Sequence, residues 1–473
     1  MKKTVLLFIF LTFLFIGSKA QNFTNIDAGF PGVRYSASSA WGDYDNDGLL
    51  DIVICGEPTL GIDTTLLYHN DGDDNFTLNT SADLVNVSLG DVEWGDFNND
   101  DYLDLIVMGY SNVGLCKLYL NNGDGSFTEQ ASTGLPDVYM GDIDFADYNN
   151  DGFLDVGICG FDNNYVFITK VFENNQDLTF TEVSGLNLEG MNLGKFKWGD
   201  YNNDGYPDFV MNGYGDVDFV TRLYKNNGDG SFSEQTSVNL HQGWLGDMAW
   251  ADYDGDGDLD LTISGVGGDG SQRYTLIYSN NGDETFTEED NIFLPAVSHS
   301  SLEWADFDGD GDLDLFIAGT VDAMGTGNYV GEIRYNNDGN FSESEEILKT
   351  YWGDCRAADY NNDGYADLFI CGYNTEELGV AEIFRNDKSV FVNKQAQDFS
   401  KVWPQPAQDF IRLQSTSLIR SYQILNMEGQ LVKEGEVNAK NSRLNVADLQ
   451  NGSYLLQLMT KAGMETQKIM ITQ

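Results

Sequence analysis

Asp43, Asp45, Asp47 and Asp51 stand at the first, third, fifth and ninth places of Asp43-Tyr44-Asp45-Asn46-Asp47-Gly48-Leu49-Leu50-Asp51. Carboxylates crowded into nine residues repel one another, so a fold that holds them together needs a cation. All-oxygen donors select a hard one. Alternate residues can point inward, Gly48 takes the sharp turn, the seventh residue can add its carbonyl, and Asp51 closes the shell. The opening matches a helix–loop–helix calcium loop, but the last acid is Asp at the ninth place rather than Glu at the twelfth. The set recurs as Asp96, Asn98, Asp100 and Asp104; Asp147, Asn149, Asp151 and Asp155; Asp200, Asn202, Asp204 and Asp208; Asp252, Asp254, Asp256 and Asp260; Asp306, Asp308, Asp310 and Asp314; and Asp359, Asn361, Asp363 and Asp367. Up to seven Ca²⁺ ions are expected. The second loop, with Asp101 where the others have Gly, is expected to be the weakest, because Asp tolerates left-handed geometry less well than Gly.

The loops start 53, 51, 53, 52, 54 and 53 residues apart, so the elements that position them must repeat too. Two residues before each first Asp stands an aromatic (Trp41, Trp94, Phe145, Trp198, Trp250, Trp304), a series that Ala357 breaks. After each last Asp comes a short apolar run ending in Gly, such as Ile52-Val53-Ile54-Cys55-Gly56, which reads as a buried strand. A second strand then ends in a tight turn, as in Asn121-Asn122-Gly123-Asp124-Gly125. Each repeat therefore encodes about four short antiparallel strands, and no helical period is sustained between them. Repeats of this length close radially. The fold predicted is all-β: a seven-bladed β-propeller, with the tryptophans filling the gaps between blades. The Phe that follows each turn occurs from Phe76 to Phe391, and Asn22-Phe23-Thr24 offers one more such strand. Either chain end can complete the closing blade.

Other chemistry is sparse. Cys55, Cys159 and Cys371 each lie twelve residues after the first Asp of their copy and read as small buried hydrophobes. Cys116 and Cys355 have no evident partner. Only His69, His241 and His299 are present, and no zinc-protease, nucleophile-elbow, P-loop or dinucleotide fingerprint occurs. No catalytic residue is assigned. An aromatic follows the strand-ending Gly at Tyr110, Phe161, Tyr214 and Tyr373. A closed ring would place these four on the face opposite the acidic loops, where aromatic rings suit amphipathic ligands such as sugars. Trp244 and Tyr351 are further candidate ligand residues. A net charge of −51 argues against nucleic acid and anionic membrane partners.

The run Trp-Gly-Asp-Tyr-Asp-Asn-Asp-Gly…Asp, followed by an apolar strand and Gly, resembles the FG-GAP/VCBS repeats, including the calcium-binding blades of integrin α-subunit propellers. The resemblance implies seven blades with calcium at hairpin loops on one face. It names no ligand.

The two ends differ from the middle. Lys2 and Lys3, an apolar run from Val5 to Ile16, and Ser18-Lys19-Ala20 read as a secretory signal peptide over residues 1–20. Residues 402–473 carry net +1 and the leader +3, so of the total −51 some −55 falls on residues 21–401. That asymmetry marks a boundary, dividing a propeller over 21–397 from a tail over 398–473. The tail alternates strands with Gly-containing turns, as in Tyr422–Val432 and Leu449–Leu458, and reads as a small Ig-like β-sandwich. Its order and spacing resemble the C-terminal sorting domain of the type IX (Por) secretion system of Bacteroidetes, with Trp403 and Gln405 in place of the more usual Tyr and Asn. This implies the type IX machinery as a partner and a secreted or outer-surface location in a Gram-negative bacterium. The function expected is a calcium-binding surface or secreted binding and adhesion module for a glycan or cell-surface protein. The alternatives are a polysaccharide-active hydrolase or lyase and a purely structural surface component. No stretch after the leader is long and apolar enough to span a bilayer, so an integral membrane protein is not expected.

Overall fold

The computed structural model describes residues 23–387, apart from 269, 323–326, 338 and 377, and residues 401–472, apart from 404–406, 408–409, 427–430, 448 and 461–462. The leader and Phe391 lie outside the described residues. These residues belong to two compact units, within 1–388 and 389–473.

The first unit is built from one recurring antiparallel sheet. Its second copy is typical: Ser88–Gly95, Asp104–Tyr110, Gly114–Asn121 and Phe127–Glu129 pair in chain order, from the axis outward. Among the described residues this sheet occurs seven times, and a single pairing, Ile168 with Met191, joins the third and fourth copies. The N-terminal end closes the ring. Phe23–Asn25 pairs with Gly379–Asn386 as the outer strand of the seventh blade, in the register Phe23 to Asn386. Pairing by the N-terminal strand staples the last blade to the start of the chain.

The predicted aromatics do fill the gaps between blades. Trp41 stacks on Tyr360, Trp94 on Tyr44, Trp198 on Tyr148 and Trp250 on Tyr201, with interplanar angles of 8–9°. Each indole N–H also donates to a carbonyl of the preceding blade's inner strand, as Trp94 does to Ala40 at 3.2 Å. Gly42 makes room for that contact, since a Cβ there would lie 2.7 Å from the Trp94 ring. All five cysteines are buried and unpaired. Burial pushes the Cys116 thiol up to about 12.

The second unit holds five strands: Lys401–Trp403, Phe410–Leu425, Leu431–Asn445, Gly452–Thr460 and Gly463–Ile471. The long strand Phe410–Leu425 shifts register between Gln414 and Ser421; Leu431–Asn445 pairs with both halves on one edge, while on the other Lys401–Trp403 pairs with the first half and Gly452–Thr460 with the second. Ala407 bridges to Ile471 in parallel. The faces close over a core of Ile411, Leu413, Ile419, Ile424, Leu444, Leu456, Leu458 and Ile469. Where an Ig-like sandwich of two sheets was expected, the described residues of this unit form one continuously hydrogen-bonded sheet.

Candidate functional site: acidic loops, aromatic rim and axial channel

Each acidic loop joins the inner strand to the second strand of its blade. The sixth residue is left-handed in every copy, from Asp101 at φ 70° to Gly311 at φ 100°. Its N–H donates to the first Asp at 2.8–3.1 Å in all seven loops. The seventh N–H donates to the fifth Asp at 2.8–3.1 Å. The backbone thus gathers the carboxylates by itself. Donor atoms converge to within 4.8 Å in Asp43/Asp45/Asp47, Asp252/Asp254/Asp260 and Asp306/Asp308/Asp314. In the second, third, fourth and seventh loops the third place is Asn.

The ninth aspartate closes each loop from inside. Asp51, Asp104, Asp155, Asp208, Asp260, Asp314 and Asp367 are buried, and burial pushes each carboxyl up to about 7. The Oδ2 atoms of Asp155, Asp208 and Asp367 have no hydrogen-bond partner. A buried carboxylate oxygen without a donor is costly, and an ion in the loop would satisfy it. The donor set therefore fits a hard metal cation.

A ring of asparagines at the ends of the third strands was not foreseen. Asn70, Asn121, Asn174, Asn226, Asn280, Asn336 and Asn386 each donate their backbone N–H to the ninth Asp at 2.6–2.9 Å. Each side-chain amide donates to the loop's eighth carbonyl and, at 2.6–3.0 Å, to the second carbonyl of the preceding blade's loop. A second link joins neighbouring loops: Asn46, Asn99, Asn150, Asn203 and Asn362 donate to the sixth carbonyl of the next loop at 2.7–3.1 Å. Gly255 and Gly309 occupy that place in blades five and six and carry no such amide.

The second strands run from the ninth Asp to the aromatic rim on the opposite face. Tyr110, Tyr139, Phe161, Phe167, Tyr214 and Trp244 form one chain of ring contacts, with centroids 4.8–6.1 Å apart, across blades two to five. Tyr110 and Tyr214 are exposed; Phe161 and Trp244 are half-buried. Tyr351 and Tyr373 belong elsewhere: they are 8% exposed and stack with Tyr329 and on each other. Exposed Val113, Tyr165, Val166 and Val217 stand on the neighbouring hairpins.

The axis holds a second charged region that was not foreseen. Asp91, Asp142, Lys195, Asp247 and Asp354 share one position of the inner strands, with Ser38 and Ser301. Two residues on stand Glu93, Asp144, Lys197, Glu303 and Arg356, with Ala40 and Ala249. Lys195 and Lys197 meet Asp142 at 2.8 and 3.2 Å; Arg356 meets Glu93 at 2.7 Å and Asp354 at 3.0 Å. Acids here also accept N–H groups from the next blade, Asp91 from Ile143 and Asp247 from Leu302. They satisfy inner-strand edges that would otherwise face the channel unpaired. Burial pushes Glu93 up to about 8 and Glu303 to about 7, although Arg356 opposes the shift. A cavity of about 330 Å³ opens among these side chains.

One end of the channel is ringed by Ser36, Leu89, Met140, Leu193, Leu245, His299 and Trp352, all left-handed with φ of 46–54°. Backbone bonds run round it, Met140 to Leu89, Leu193 to Met140, and on to Trp352 and His299. His299 is buried, which lowers its pKa to about 4, so it is a neutral member of this ring. Periodicity could have revealed both the asparagines and the channel positions, since each recurs with the blade. Their side chains read locally as turn and strand residues.

The FG-GAP-like repeat model matches residues 96–158, 147–211, 200–263 and 265–317, and a secretion system C-terminal sorting domain matches 401–472. No curated protein matches the chain. Among solved structures it is similar to PorZ, a surface component of the type IX secretion system of Porphyromonas gingivalis (11% identity, 92% of this chain and 81% of that one, TM-score 0.33). It is also similar to the extracellular domain of a putative hybrid two component system, BT4673, from B. thetaiotaomicron (9% identity, 96% and 59%, TM-score 0.45). A third is an ancestral GH74 enzyme (10% identity, 95% and 64%, TM-score 0.41). The chain spans about three fifths of the BT4673 domain. The chain thus carries FG-GAP-like repeats within an all-β propeller and ends in the Por sorting domain, which implies the type IX secretion machinery and a secreted or cell-surface place.

Proposed function

We propose that this protein is a surface or secreted binding module that captures glycans on its aromatic rim, held in shape by calcium in the acidic loops. The observation that carries the ligand reading is the unbroken chain of rings from Tyr110 to Trp244 on the face away from the loops. Such rings offer flat apolar faces to the C–H groups of a sugar, and the tyrosine hydroxyls add polar handles. The calcium reading is supported by all-oxygen donors gathered by backbone N–H groups and by the orphaned carboxylate oxygens of Asp155, Asp208 and Asp367. Asp43, Asp45, Asp47 and Asp51, and their counterparts in each copy, would hold the ion. When bound, calcium supplies the charge that lets neighbouring loops lie close.

The test is a pull-down of the mature protein on insoluble polysaccharides and a glycan array, each with calcium and with chelator. Retention that falls at least tenfold in Trp244→Ala and Tyr214→Ala, with unchanged melting temperature, supports the rim. Retention unaffected by both substitutions removes it. Release of reducing ends would replace binding with hydrolysis.

A further inference from the structure

The seven loops have the same backbone, but not the same third-strand neighbour. The residue before each asparagine of the ring at the third-strand ends is His69, Leu120, Glu173, Lys225, Ser279, Tyr335 and Arg385 in turn. Lys225 and Arg385 bring cations with no lone pair for a metal; only the first brings an imidazole nitrogen that can ligate one. His69 Nδ1 lies 3.2 Å from Asp45 Oδ2 and 3.1 Å from Asp51 Oδ1; Nε2 lies 4.0 Å from Asp47 Oδ2 and 3.7 Å from Asp71 Oδ1. Asp45, Asp51 and His69 offer one atom each within 4.8 Å of one another. His69 and Asp45 are half-buried at the loop surface. Asp51 is buried, and Tyr44 sets its ring edge-on to the imidazole at 6.4 Å.

We infer that the first loop is a mixed nitrogen–oxygen metal site that takes a borderline dication such as Zn²⁺ in preference to calcium, whereas the other six loops offer oxygen alone. The inference rests on the reading of these loops as cation sites. Imidazole suits zinc, copper and nickel, and calcium is bound by oxygen. Separations of 3.1–3.2 Å between the nitrogen and two carboxylate oxygens are those of adjacent ligands on a small ion with bonds of about 2.0–2.2 Å. Asp45 and Asp51 supply the two carboxylates. The Asn70 N–H on Asp51 Oδ1, at 2.8 Å, fixes the orientation of that ligand from behind. The preceding strand residue thus sets the metal preference of one blade without altering its loop.

The experiment uses the full, tag-free chain, stripped of metal and then kept in millimolar calcium. Zn²⁺ is titrated by calorimetry, and Cu²⁺ is added as a spectroscopic probe. One Zn²⁺ per chain should bind against the calcium background, and the Cu²⁺ resonance should carry nitrogen hyperfine structure. His69→Gln should weaken Zn²⁺ binding by at least about 100-fold, the upper end of what outer-shell changes alone cost, and erase the nitrogen signature. His69→Asp should turn the site over to calcium, and the melting temperature checks that both variants fold. Zn²⁺ displaced by calcium, or a nitrogen signal that survives in His69→Gln, overturns the inference. So does an imidazole that only bridges Asp45 and Asp51 by hydrogen bonds and binds no metal. Calcium bound at the other loops with no Zn²⁺ retained sinks this inference alone; no cation bound anywhere sinks the loop reading as well.

Discussion

The acidic loops and the axial channel both crowd carboxylates, and they solve the repulsion in opposite ways. In the channel the chain supplies its own counter-charge: Lys195 and Lys197 bracket Asp142, and Arg356 lies between Glu93 and Asp354. Backbone N–H groups of the next blade take the remaining lone pairs. In the loops, backbone N–H groups gather the first and fifth acids, and oxygens of Asp155, Asp208 and Asp367 are left without a donor. One region is finished by folding; the other, on the proposed reading, would be finished by an ion from solution. Stability should therefore depend on calcium through the loops and on internal pairing through the channel.

Chelation should break the comparison open most widely. A ligand that binds only the folded state adds RT ln(1 + [L]/Kd) per site, about 2.7 kcal/mol at a hundredfold excess over Kd. Several occupied loops then sum to on the order of 10 kcal/mol. Thermal melts with and without chelator should differ by well over ten degrees by this reckoning, and added calcium should restore the loss. Melts that coincide would remove the ion from the loops.

Next comes Arg356→Met. Arg356 also donates to the Ser39 carbonyl across the ring closure, at 2.9 Å. Removing one partner of a buried pair leaves uncompensated charge and costs about 3–5 kcal/mol. Here Asp354 loses its ion pair and Glu93 its hydrogen-bond donor. Chemical denaturation should show this loss equally with and without calcium. A loss that appears only in chelator would mean that the two regions are not separate.

The loops were legible in the sequence, and the channel was not, for a physical reason. A loop's donors are consecutive residues, so the site is written in nine letters. The channel takes one or two residues from each blade, some fifty apart, and Glu93 or Arg356 alone reads as an ordinary strand residue. The asparagine ring fell between these cases. Asn121-Asn122-Gly123 reads as a tight turn, yet the first Asn is buried and bonds the Tyr44 and Leu103 carbonyls. The aromatic spacing placed Tyr110 and Tyr214 on one rim, but burial of Tyr351 and Tyr373 against Tyr329 depends on side-chain packing that spacing does not carry. Closure by Phe23–Asn25 required the pairing itself.

pH separates the regions more gently. Burial raises Glu93 from 4.5 to about 8 and Glu303 to about 7, so between pH 4.5 and those values the folded state holds protons that the unfolded chain has released. Stability must then fall as pH rises through this window. Asp142 acts in the other direction: burial would raise it, but Lys195 and Lys197 hold it well below the usual carboxylate range. Its contribution is present above the unfolded value of 3.8 and is lost only as pH falls below that, outside the window. In chelator, urea midpoints should drop from pH 5 to pH 8, the seven ninth aspartates raised to about 7 contributing to the same fall, and Glu93→Gln with Glu303→Gln should remove the channel's share of the slope. A slope unchanged by the pair would place its source in the loops.

The smallest effect lies inside the loops themselves. Asp101 adopts φ 70° at the place where six other copies have glycine, yet its N–H meets Asp96 Oδ2 at 2.9 Å as the glycines do with their own first Asp. The second loop therefore reaches the common geometry at a conformational cost. A left-handed non-glycine residue costs roughly 1–2 kcal/mol, less for Asp, and glycine returns part of that gain through its freer unfolded chain. Asp101→Gly should raise stability by about 0.5 kcal/mol and tighten calcium at that loop. Asp100→Ala in the second loop should accordingly cost less than Asp310→Ala in the sixth, because it removes a ligand from a site already weakened by its backbone. Isothermal titration on the three variants orders these effects. Equal losses from the two alanine substitutions, with no gain from Asp101→Gly, would show that backbone fit does not grade the loops.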